Sequence, residues 1–98
     1  MFYLVGSRFF GDYRPDSDYD LVGEDTPEIR EFLERQGFKR LDSIHVRYHR
    51  DNLDVCLVEN LEARLYARDN VDKNLPKRER HEKIRELINA YELGRVTK

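Results

Sequence analysis

The stretch Gly6-Ser7-Arg8-Phe9-Phe10-Gly11-Asp12-Tyr13-Arg14-Pro15-Asp16-Ser17-Asp18-Tyr19-Asp20-Leu21 decides how this chain is read. Before it lies the apolar run Phe2-Tyr3-Leu4-Val5, a short buried strand closed by Gly6. Residues 7–12 suit a short helix or a tight loop. Arg14-Pro15-Asp16-Ser17 is turn chemistry, because proline fixes φ while Asp and Ser bond nearby backbone. Residues 18–22 then read as a second strand. Its alternation puts Tyr19 and Leu21 on one face and Asp18 and Asp20 on the other, with the two carboxylates about 7 Å apart along the backbone.

Working outward, Thr26-Pro27-Glu28 is a helix start, with a capping Thr, Pro at the first helical position and an acid in the first turn. Ile29, Phe32 and Leu33 make its apolar stripe, and Gly37 ends it. Ile44, Val46 and Tyr48 alternate with His45, Arg47 and His49, which predicts a half-buried strand. Arg50-Asp51-Asn52 turns the chain into residues 53–59 and so predicts a hairpin. In its second strand Leu53, Val55 and Leu57 face the core, while Asp54 and Cys56 share the opposite face. Residues 60–70 read as a helix with Leu61 and Leu65 on one side. After Leu75-Pro76 another runs to about Leu93, its stripe Ile84, Leu87, Ile88 and Tyr91, and Gly94 stops it. The order β, short α, β, α, β, β, α, α predicts an α/β (α+β) fold, a small mixed sheet packed by helices, with residues 1–98 as a single domain.

Ninety-eight residues, 39% hydrophobic and 39% charged, allow one small core under a highly charged surface. No window approaches the roughly 18 apolar residues of a membrane span. The first residues lack the basic region of a signal peptide. The lone Cys56 excludes an internal disulfide framework and a cysteine-rich zinc module, and the expected compartment is a reducing cytoplasm. The net charge of −2 is uneven: residues 1–72 carry −6 and residues 73–98 carry +4. An acidic body with a basic tail suits a cation-dependent site beside a surface that attracts phosphate, although a basic helix can simply be solvated.

The chemistry follows from what such residues do when brought together. Asp18 and Asp20, with Asp54 from the later strand, form a set of carboxylates that repel one another. A like-charge pair at ~4 Å costs about 1 kcal/mol in water and about 4 kcal/mol at a protein surface. A divalent cation offsets that repulsion, and oxygen-only ligands favour Mg²⁺ or Mn²⁺. Gly6 lets backbone approach a phosphate closely, the Ser7 N–H and hydroxyl can donate to it, and Arg8 or Arg14 can add charge-assisted contacts. Each feature also has a plainer reading. Asp54 can be a sheet-surface acid paired with Arg47 or His45, and His45 and His49 can be surface histidines. Phe9, Phe10 and Tyr13 can pack a loop on its own domain.

In combination, residues 6–21 closely resemble the signature of the minimal nucleotidyltransferases of the DNA polymerase β superfamily: Gly-Ser, ten residues, then Asp-x-Asp. The resemblance expects a later strand with one acid between hydrophobics, and Leu53-Asp54-Val55 supplies it. It covers about residues 1–60. It implies that Gly6 and Ser7 hold a nucleoside triphosphate, that Asp18 and Asp20 ligate Mg²⁺ or Mn²⁺, and that Asp54 completes the site and helps activate an acceptor hydroxyl. The implied activity moves a nucleoside monophosphate, AMP from ATP first among them, to a protein side chain, an RNA 3′ end or a small molecule, with release of pyrophosphate. Phe9, Phe10 and Tyr13 depart from the family's usual loop, and the large helical domain that defines the acceptor in bigger relatives is absent. The resemblance also suggests a toxin-like protein partner. Its alternative is therefore an antitoxin- or inhibitor-like binding module that neutralises such a partner through the same fold.

Overall fold

The computed structural model describes residues 1–94, so Arg95 and Lys98 of the basic segment lie outside the described residues. The chain forms two compact units, one of residues Met1–Glu59 and one that begins at Asn60. The first holds β1 (Phe2–Val5), α1 (Gly6–Phe10), β2 (Tyr19–Glu24), α2 (Pro27–Arg35), β3 (Lys39–Arg40), β4 (Val46–Arg50) and β5 (Leu53–Val58). The second holds α3 (Leu61–Asn70) and α4 (Lys77–Glu92). The fold is α+β, with a five-stranded mixed sheet in the order β1-β2-β5-β4-β3. Among the described residues only β2 and β5 pair in parallel.

The core of the first unit is the sheet face predicted from Leu53-Asp54-Val55. Leu33, Tyr48, Val55 and Leu57 are buried there, packed by Phe2, Leu21, Ile29, Phe32, Phe38 and Val46. Helix α2 covers this face with its Ile29, Phe32 and Leu33 stripe. Its ends form as the sequence predicts. The Thr26 hydroxyl accepts from the Ile29 N–H at 3.2 Å, and Gly37 takes a φ of 84°. The Gly37 and Phe38 N–H groups then donate back to the Glu34 and Leu33 carbonyls at 3.1 and 3.0 Å, a Schellman ending.

Two strand expectations need correction, and one strand has no forerunner in the sequence. β2 begins at Tyr19, not Asp18, because Asp18 has nothing to pair with on either side: β1 ends at Val5, opposite Asp20, and β5 begins at Leu53, opposite Tyr19. β4 begins at Val46, leaving Ile44 almost fully exposed and His45 in the preceding bend. β3, two residues long and both basic, carries no hydrophobic alternation that could have announced it.

In the second unit Ala63, Ala67 and Ile88 are buried against Ile84, Leu87 and Tyr91. The side of α3 that packs is thus centred on Ala63 and Ala67, whereas the expected Leu61 and Leu65 are half-buried. Two alanines four residues apart let helices approach closely, and their small side chains add little to the apolar periodicity of α3. Tyr91 closes the unit, its hydroxyl donating to Glu62 at 2.8 Å and its ring 5.2 Å from that of Tyr66. Arg80, expected on a solvated basic helix, is only 3% exposed. No helix among the described residues is long and apolar enough to cross a membrane.

Candidate functional site

The sheet face opposite the first core carries the residues of interest. Registers across β1, β2, β5 and β4 place Val5, Asp20, Asp54 and His49 side by side in one row. Directly paired residues point to the same side of a sheet, so Asp20 and Asp54 are neighbours on adjacent parallel strands. Asp20 and Asp54 are therefore brought together. Asp18 is exposed in the approach to β2, one residue outside the ladder.

Gly6 opens α1 with a φ of 72°, a backbone conformation that side chains disfavour. Its Cα also lies so near the Asp20 carboxylate that an added Cβ would sit 2.5 Å from Oδ2. The Gly-Ser turn and the second acid of Asp-x-Asp are thus in contact. Val5, which precedes the turn, offers no side-chain cap to the first N–H groups of α1.

Arg8 is committed to the loop. Its Nη2 donates to the Pro15 and Ser17 carbonyls at 3.1 and 3.0 Å, and Nε to Ser17 at 3.3 Å. Its guanidinium carbon lies 4.2 Å from the Tyr13 ring centre and 4.4 Å from that of Tyr19. Such cation–π contacts contribute ~0.5–1 kcal/mol each at exposed sites. Arg8 therefore shapes the loop that carries Asp18. The turn is closed by Ser17, whose hydroxyl accepts from the Arg14 N–H at 2.9 Å.

Asp54 is held by Arg47, whose Nε and Nη2 reach its two carboxylate oxygens. The side chain of Asp54 is 13% exposed and that of Arg47 38%. The Asp54 hydrogen bond and charge raise the Arg47 pKa further above its ordinary value against desolvation, and Cys56 and Asp20 add to the effect. One of the plainer readings of Asp54, pairing with Arg47, is what the structure contains. The pairing was legible: a two-residue turn sets Arg50 opposite Leu53, hence Arg47 opposite Cys56 and diagonal to Asp54.

Among the described residues, no three His, Cys, Asp or Glu side chains converge closely enough to hold a metal ion as they stand. The donor chemistry nonetheless suits a hard divalent cation, since Asp20 and Asp54 present only carboxylate oxygens from strands in register.

No family model, no curated protein and no solved structure matches the chain, so the arrangement itself bears the functional argument.

Proposed function

We propose that the chain is a nucleotidyltransferase of the DNA polymerase β type that transfers a nucleoside monophosphate, with ATP the first donor to test, to a hydroxyl acceptor. The observation that carries this reading is the Gly6–Asp20–Asp54 arrangement: a glycine turn closed onto one carboxylate, which lies in register with a second. Gly6 and Ser7 present backbone N–H groups and a hydroxyl to the triphosphate, and the missing side chain at Gly6 allows the close approach. Asp20 and Asp54 would hold the divalent cation, with Asp18 reaching it from the loop. When bound, that cation neutralises charge on the triphosphate and on the attacking oxygen. The acceptor oxygen bonds to the α-phosphorus, the bond to the bridging oxygen breaks, and pyrophosphate leaves. Asp54 takes the hydroxyl proton.

The test is incubation with each α-³²P-labelled NTP and Mg²⁺ or Mn²⁺, with and without host lysate. Label should appear on a protein or RNA band and fall more than about a hundredfold with Asp20→Asn or Asp54→Asn, since outer-sphere partners of a metal site alone are worth about 10–100-fold. Unchanged transfer by both variants would remove the assigned site.

The occupation of Asp54 by Arg47 and of Arg8 by loop carbonyls favours one competing reading, a module that acts by covering a protein partner. Neutralisation of a partner that survives both Asp substitutions would support that module over the enzyme.

A further inference from the structure

Two carboxylates placed in register on adjacent strands need a counter-charge whenever no cation is present. Arg47 supplies it. The guanidinium fits Asp54 as a fork on both oxygens, from a strand position diagonal to it. The two partners differ in freedom. Asp54 projects from β5, the strand hydrogen-bonded on both sides by β2 and β4, and is largely covered. Arg47 is more than a third exposed and sits on a long side chain that can swing into water.

We infer that Arg47 is a resting counter-ion of the site, occupying Asp54 until a divalent cation displaces it, so that the protein weakens its own metal binding. The inference rests on the nucleotidyltransferase reading of Asp20 and Asp54. It gives Arg47 a role that no residue motif announced. The exchange breaks the Arg47–Asp54 ion pair and forms a cation–Asp54 bond, and the guanidinium keeps its proton and is freed for solvent or for an incoming phosphate. The positive charge beside the carboxylates is therefore never absent. It passes from the arginine to the cation.

The experiment is a Mn²⁺ titration followed by water-proton relaxation on the intact chain, comparing wild type, Arg47→Gln and the double variant Asp20→Asn/Asp54→Asn. Arg47→Gln should bind Mn²⁺ about tenfold more tightly than wild type, because a competing unit charge at ion-pair distance is removed. Equal or weaker binding by Arg47→Gln, with wild type still binding more tightly than the double variant, would overturn the role of Arg47 and leave the metal site standing. Wild-type binding no better than that of the double variant would overturn the site and the inference together. A second measurement uses wild type alone and does not require a variant to fold. The Arg47 Nε–H signal in ¹⁵N-resolved NMR, protected from exchange in the ion pair, should lose that protection as Mg²⁺ saturates the site. Retained protection at saturation would overturn the displacement.

Discussion

At the scale of single residues, Gly6 is under two separate constraints. Its φ of 72° disfavours any side chain, and the Asp20 carboxylate occupies the space a Cβ would need. The first constraint costs roughly 1–2 kcal/mol for a non-glycine residue. The second eases if Asp20 is shortened to Ala, which removes the 2.5 Å contact and leaves only the Asp20 Cβ at 3.1 Å. Gly6→Ala should therefore lower unfolding free energy by more than about 2 kcal/mol in the wild-type background, and by visibly less in an Asp20→Ala background. Urea melts of the four proteins give the coupling directly. Additive costs would mean that the close approach is not a stability constraint. Gly6, Asp20 and Asp54 were legible as neighbours because each is tied to a strand end or a strand face. The placement of Asp18 was not, because alternation alone does not show where the neighbouring strands stop. Arg8 was legible as a cation near the turn, yet its partners are backbone carbonyls of the following loop, which no side-chain pattern records.

At the scale of elements, the join between β2 and α2 is fastened by charge as well as by its cap. Arg30 donates to both carboxylate oxygens of Asp25 at 2.7 and 2.8 Å, while the Asp25 N–H extends the ladder to the Val58 carbonyl at 2.9 Å. The Arg30 hydrogen bonds hold the Asp25 carboxyl below the usual carboxylate range, against the opposing effect of burial. The folded protein thus takes up this proton less readily than the unfolded chain does. The stabilisation is fully present above the unfolded value, near pH 4, and is lost as pH falls through the lower folded value. Asp25→Asn should therefore melt below wild type at pH 7, and the gap should close progressively below about pH 4. A gap that stays constant to pH 2.5 would show that the pair contributes through shape and not charge. Helix α2 was legible at both ends because Thr26-Pro27 and Gly37 are chemical punctuation. β3 has none, and α3 packs through alanines that large-residue periodicity passes over.

At the scale of the whole molecule, the small size of each unit leaves little reserve. Leu33 is 1% exposed and packs within the core of the first unit. Leu33→Ala should cost about 2–5 kcal/mol, a large share of the ~5–15 kcal/mol available to a domain. Chemical denaturation followed by circular dichroism checks this, and a loss below ~1 kcal/mol would mean that α2 is not a principal cover of the sheet. The sheet order itself was only partly legible. A β-hairpin announces the β4–β5 pairing, but the parallel alignment of β2 with β5 joins distant segments and leaves no local mark. That alignment has a consequence for how errors are tolerated. In β5 Leu53, Val55 and Leu57 share one face and Asp54 lies on the other, so sliding the strand by one residue would bury Asp54 and expel Val55. Such a misassembled protein would fail as a solid object before it could fail as a catalyst. The interior thereby acts as an inspector for the acids on the opposite face: any copy that survives with Leu21 and Val55 inside carries Asp20 and Asp54 together on the outer side.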